Sequence, residues 1–164
     1  MTIFVKNKHT LQIDEFKFKC CIGKKGSTSN KKEGDKKTPK GTFKIENLYF
    51  RQDRIKRPLT LLKCIKIKKN MGWCDDISFP GKYNKLIKIG KKIRHEKLKR
   101  KDSKYDLLIP IKYNFKKPIT GRGSCIFIHL TKNYKPTAGC IALKEKDFLI
   151  LLKLINKDSK IKIF

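Results

Sequence analysis

The sequence predicts a mostly-β domain closed by one amphipathic helix near its C-terminus. Apolar residues fall in short alternating runs separated by Gly, Pro and Asn, the signature of strands and turns. Only residues 144–155 repeat them at helical spacing, with Phe148, Leu151, Leu152 and Ile155 at i, i+3, i+4 and i+7. The 164 residues suffice for one core and not for two ordinary ones. No repeat or linker divides them, so residues 1–164 are expected to form a single domain.

Taken in order, residues 2–7 and 17–22 read as two strands of an opening hairpin or meander, with a turn at 7–10. Residues 23–40 (GKKGSTSNKKEGDKKTPK) hold no large apolar side chain and read as a solvated loop. The alternative is a flap over a site, moved by its Gly and Ser. Residues 41–50 and 60–68 return to strand alternation, the second with a slip or bulge near Lys63. Residues 70–84 read as a loop carrying the only tryptophan, Trp73, and the adjacent Asp75 and Asp76. Residues 86–104 are the most basic part of the chain and are expected to hold a short basic helix around 95–100. Residues 105–114 form a strand candidate that Pro110, lacking an N–H, pushes toward an edge or a bulge. The helix at 144–155, with Glu145 and Asp147 favourable in its first turn, should cover one sheet face, and residues 160–164 (KIKIF) close the sheet.

Charge sets a second bound. Lys and Arg number 43 against 14 Asp and Glu, a formal net charge of +29. Such a surface attracts any polyanion: nucleic acid, an anionic membrane face or an anionic wall polymer. Only six of the basic residues are arginine, and lysine is the poorer choice for bidentate phosphate or base recognition. A lysine-, isoleucine- and asparagine-rich composition is also what an AT-rich genome yields, so nucleic acid is expected to bind only non-specifically. The N-terminus shows no charged start, apolar core and cleavage site of a signal peptide, which places the chain in the cytoplasm on sequence alone. No apolar run approaches the ~20 residues of a membrane span. The six cysteines show no CxxC spacing, and adjacent Cys20 and Cys21 point to opposite faces of a strand; five are read as ordinary thiols and one as functional.

That one is Cys140. Residues 124–130 (SCIFIHL) form a strand-like run ending near His129, and residues 140–143 (CIAL) form a shorter one after the polar loop TKNYKPTAG. The pair reads as a β-hairpin-like excursion, with His129 on one strand and Cys140 opening its neighbour. An imidazole beside a thiol supplies the base that a cysteine nucleophile needs. Gly139 lets backbone approach a substrate closely, and the amides of Gly139 and Cys140 are candidate oxyanion donors. On spacing alone the pair is weak, since most cysteines are small core residues and most strand histidines are structural.

The sequence resembles the L,D-transpeptidase (YkuD-type) catalytic domain family, in its short single-domain bacterial branch. His129 followed by Pro136-Thr137-Ala138-Gly139-Cys140 is similar to the family's histidine, spacer and Ser/Thr-His-Gly-Cys motif. Thr38-Pro39-Lys40-Gly41-Thr42-Phe43 resembles its Thr-Pro-x-Gly-x-Phe stretch. Gly72-Trp73-Cys74-Asp75-Asp76, His95-Glu96, Tyr105-Asp106 and Gly121-Arg122-Gly123-Ser124 resemble the short branch. Two positions depart: Ala138 stands where the motif has a second histidine, and Ala142 where Arg or Asn is usual after the cysteine.

The resemblance implies a β-sandwich or barrel-like domain and a cysteine acyltransferase acting on peptidoglycan stem peptides, in cell-wall cross-linking or remodelling, with no cofactor or metal. Cys140 would be the nucleophile, His129 its base and Gly139 part of the oxyanion site. Thr137 would brace the loop, and Arg122 would hold a substrate carboxylate. Trp73 and Asp75 would line a peptide groove, and His95 would contact substrate. The same acyl-enzyme met by water gives an L,D-carboxypeptidase. The family role would put the chain in the cell envelope; it is expected to be a monomer. Two rivals remain: a basic β module binding anionic polymers, with the Cys/His pair vestigial, and a thiol redox protein, which lacks a resolving cysteine at short spacing.

Overall fold

The computed structural model describes residues 1–90 and 92–164. The chain runs β1 (Thr2–Val5), β2 (Thr10–Ile13), β3 (Phe16–Cys21), β4 (Ser27–Thr28), β5 (Thr38–Pro39), β6 (Gly41–Lys44), β7 (Leu48–Phe50) and β8 (Cys64–Lys66). It continues through β9 (Met71–Cys74), β10 (Leu86–Lys88), β11 (His95–Lys97), β12 (Leu107–Pro110), β13 (Phe127–Leu130), β14 (Ile141–Leu143), α1 (Glu145–Leu154) and β15 (Lys160–Ile163). The mostly-β class with a C-terminal amphipathic helix is what forms. Ten strands make one curled, half-barrel sheet in the order β6-β15-β1-β2-β3-β14-β13-β12-β7-β8.

Alternation along the central strands separates two apolar clusters. Ile126, Ile128 and Leu130, with Ile141 and Leu143, point to the face that α1 covers with Phe148, Leu151 and Leu152. Each of those helix side chains is fully buried, worth ~1.5–3 kcal/mol of transfer free energy. Phe127 and Cys140 point the other way, into a smaller cluster with Trp73, Tyr105, Leu108 and Tyr49. The period of two in β13 and β14 therefore puts Phe127, His129, Cys140 and Ala142 on one face.

Four expectations are corrected. The β13–β14 unit is not a hairpin. The two strands are parallel, with Ile128 beside Ile141, His129 beside Ala142 and Leu130 beside Leu143, and the loop between them carries the chain back to the start of its neighbour without a helix. No helix forms around residues 95–100: β11 there pairs with β9, which with β10 makes a three-stranded sheet, so tertiary pairing overrides local preference. The expected loop at 70–84 begins as β9 itself. Finally, β12 lies inside the sheet between β13 and β7. Its Pro110 is tolerated at the last strand position, beyond the two residues, Leu107 and Leu108, that pair with β7.

Residues 23–40 are only partly the solvated excursion the sequence predicts. β4 and β5 pair in parallel, and Thr38 and Lys31 are buried. Gly23 bridges Thr137, and the Lys24 amide donates to the Thr137 carbonyl (2.9 Å), so the segment is laid against the turn that precedes Cys140.

Candidate active site

Cys140 sits at the position level with Phe127, one residue before β14 begins. It is buried, with 8% of its surface exposed. Its Sγ accepts the Phe127 amide (3.4 Å) and donates its proton to the Cys125 carbonyl (3.1 Å). Cys125 reaches that place through a left-handed backbone, φ 55°. Burial pushes the Cys140 thiol up to about 12, so at neutral pH it is a protonated thiol.

His129 lies on the same face, beside Ala142, the residue two beyond Cys140. Its Nδ1 donates to the Leu130 carbonyl at 2.9 Å, which leaves Nε2 as the ring's unprotonated, basic nitrogen. Burial lowers its pKa from 6.5 to about 4, against the smaller raising effect of that carbonyl, so the ring is neutral at physiological pH. Tyr105 meets it edge to face, and the Arg100 guanidinium lies over the Tyr105 ring, 5.0 Å from its centroid. The resting pair is thus a thiol and a neutral imidazole, the arrangement for general-base activation rather than a preformed ion pair.

The turn into Cys140 is held by Thr137. Its hydroxyl donates to the Cys140 carbonyl (2.6 Å) and accepts the Gly139 amide (3.1 Å). Gly139 has φ +145°, and a Cβ there would stand 2.8 Å from the Lys37 carbonyl oxygen, so only glycine fits. Because the Gly139 N–H is already engaged by Thr137, the Cys140 amide is the better-placed oxyanion donor of the two.

Both residues line a cleft of roughly 1410 Å³, together with Thr137, Ala138 and Gly139. Ten Lys or Arg and four Asp or Glu line it, so the cleft is basic and suits a substrate carrying carboxylates. Of the other residues singled out in the sequence, Asp75 lines the cleft, but Arg94 already holds it, Nε to Oδ1 at 3.1 Å. Trp73 does not line the groove. As a β9 residue it turns inward, 3% exposed, packs edge-on to Phe127 and Tyr49, and donates Nε1–H to Asn84 (2.9 Å). His95 is also outside: its ring lies over Gly72, where a Cβ would come within 2.8 Å of it, and Nδ1 bonds the Ile93 carbonyl. Arg122 is exposed and does not line the cleft, although its neighbour Gly121 does; its Nη1 donates to Asn30 Oδ1 (3.0 Å).

Sequence reading passed over Tyr105, Cys125, Arg100 and Glu33 as site residues, all of which line the cleft. Tyr105 carried a usable signal, the Tyr-Asp pair before an apolar run; Cys125 and Glu33 carried none.

A family model of the L,D-transpeptidase catalytic domain (YkuD) matches residues 1–163. The chain belongs to that family. Among curated proteins and solved structures, none matches the chain. L,D-transpeptidases are an enzyme family of peptidoglycan chemistry, and the mostly-β half-barrel agrees with the family fold. Among the described residues of this L,D-transpeptidase domain, no helix is long and apolar enough to cross a membrane.

Proposed function

We propose that the chain is a cysteine acyltransferase of peptidoglycan stem peptides, acting through a Cys140 acyl-enzyme. The observation that carries this reading is the placement of a protonated Cys140 thiol and a neutral, Nδ1-anchored His129 on one sheet face in one basic cleft. His129 Nε2 takes the Sγ proton as sulfur attacks the carbonyl of the diamino acid at the third stem position. The Cys140 amide supports the oxyanion, a role worth ~3 kcal/mol per donor. The C–N bond to the terminal D-residue breaks, and the imidazolium returns the proton to its amine. The amine of a second stem then attacks the thioester, gives its proton to Nε2, and the thiol is restored.

Water in place of that amine yields the carboxypeptidase outcome from the same acyl-enzyme. Thr137 holds the turn that presents Sγ. Residues 1–164 act as one catalytic domain and as a monomer in the cell envelope, and the surface charge attracts nucleic acid only non-specifically. Whole-protein mass after incubation with a carbapenem tests the chemistry. One adduct is expected on the wild type and none on Cys140→Ser; an unmodified wild type rejects the reading in favour of a basic module that only binds polymers.

A further inference from the structure

Glu33 lies in the segment that the sequence reads as solvated, yet its carboxylate is built into the cleft. Its amide donates to the Gly121 carbonyl (2.8 Å). Its Oε2 accepts the Ser124 hydroxyl (2.7 Å) and the hydroxyl of Tyr83. Tyr83 is fully buried, and its hydroxyl oxygen also accepts the Gly123 amide (3.1 Å). One carboxylate oxygen is therefore fixed by two donors far apart in sequence. Among the described residues Oε1 has no hydrogen-bond partner.

The charge balance inside the cleft sets it apart. Of the four acidic residues that line the cleft, Asp75, Glu96 and Asp102 each hold an arginine. Glu33 is half-buried in a cleft rich in cations, and no basic side chain among the described residues pairs with it. Arg94 is close enough for their charges to interact, but its guanidinium is committed to Asp75. A carboxylate held by neutral hydroxyls, with one oxygen left over, is positioned for a cation from outside. A metal ion is poorly served there, since a single carboxylate lacks the ligand number that hard cations take. The positive cleft also repels a free cation while attracting a peptide whose carboxylates carry an amine in with them.

We propose that Glu33 is the subsite for a non-reacting primary ammonium of the donor stem peptide, the side-chain amine of its diamino acid. This rests on the acyl-transfer reading above. Ser124, which orients Glu33, immediately precedes Cys125, whose carbonyl accepts the Cys140 S–H hydrogen bond, so the ammonium subsite and the attacking sulfur are set by consecutive residues. The reacting amine of the acceptor is a different group, since it must lose its proton and reach the thioester.

Binding to the Cys140→Ala protein separates this from the chemistry. Calorimetry with a stem tetrapeptide should show the free side-chain amine binding about 10-fold tighter than its N-acetylated form, the scale of one charge-assisted hydrogen bond. Adding Glu33→Gln, which keeps an oxygen for both hydroxyls and removes the charge, should shrink that preference to within about 2-fold. Equal binding of the two peptides before the change, an undiminished preference after it, or equal loss of both peptides each overturns the proposal; the last means that Glu33 only braces its loop. The carbapenem adduct on the wild type reports independently: a clear amine preference with no adduct would reject acyl transfer, and an adduct with no preference would reject the subsite.

Discussion

Tyr105 meets His129 edge to face, with ring centroids 5.3 Å apart and planes at 68°. The phenol ring is itself loaded by Arg100, which is tied to Glu96 (2.7 Å) and to Asp102. The imidazole is therefore propped by an aromatic wall that an ion-pair network holds in place. Tyr105→Phe keeps the wall and should acylate at close to the wild-type rate. Tyr105→Leu removes it and should slow acylation by about 10- to 100-fold with little change in apparent substrate affinity, the cost of a misplaced catalytic group. Single-turnover acylation of the two variants checks this; equal rates would remove Tyr105 from the site.

The depressed pKa of His129 fixes a pH window for stability. The folded-state value near 4 lies below the ordinary 6.5, so the unfolded chain binds the extra proton first as pH falls. The stabilisation from the neutral ring is complete above 6.5 and is lost as pH drops toward 4. Over that interval the wild type should lose about 3 kcal/mol more than His129→Gln, read from denaturant titrations at several pH values. Parallel losses in the two proteins would refute a buried neutral imidazole.

The same ring sets the acid limb of the reaction. With His129 neutral down to about 4 and the Cys140 thiol protonated up to about 12, acylation by unliganded enzyme should be nearly flat through neutrality and fall only near pH 4. A limb centred near 6.5 would place the base elsewhere.

Gly139→Ala should destabilise the domain by about 1–3 kcal/mol, because it adds a Cβ at φ +145°, 2.8 Å from the Lys37 carbonyl oxygen. A thermal melt compared with Ala138→Gly, one position away on an exposed residue, gives the scale. An unchanged melting temperature would mean that the Lys37 segment yields freely.

Ala138 is exposed at the cleft wall, where the family motif has a second histidine. Ala138→His should fold as the parent does and change acylation by no more than about threefold, since the proposed mechanism needs no base beyond His129, which already has its carbonyl anchor. A much larger gain would show that Ala138 limits this enzyme.

The strand class and the helix were legible because Ile126, Ile128 and Leu130 alternate at period two, while Phe148, Leu151 and Leu152 repeat at helical spacing. That His129 and Cys140 belong to neighbouring segments of one cleft was legible from the motif; the direction of their strands was not. A polar loop with Pro136 and Gly139 looks the same whether the chain turns back or crosses over, and only the register with β14 separates the two. Strands such as β9, β10 and β11 are three or four residues long, too short for a period, and form because they have one another to pair with. That pairing turns Trp73 inward. Glu96 and Arg100 make an i,i+4 ion pair without a helix, which is why the basic stretch imitates one. Glu33 could not be found from sequence at all, since its role depends on Tyr83 and Ser124, 50 and 91 residues away.

The two halves of the ten-stranded sheet meet at its middle through β14 and β3, Ala142 with Cys21 and Leu143 with Cys20, and again where the sheet curls round, through the Ile45–Ile111 bridge and the Lys112 amide on the Lys44 carbonyl (2.8 Å). Five strands lie on either side of that short seam, and Cys140 stands at its end. Beneath lies a shared core, in which Phe148, Leu151 and Leu152 of α1 join residues drawn from both halves, Ile3 and Leu11 on one side and Leu107 and Ile128 on the other. The helix therefore works as a splint across a joint. A load that lifts α1 would strain that seam first, parting Ala142 from Cys21 beside Cys140, while the Cys140–Cys125 hydrogen bond, which lies wholly on the β13–β14 side, stayed intact.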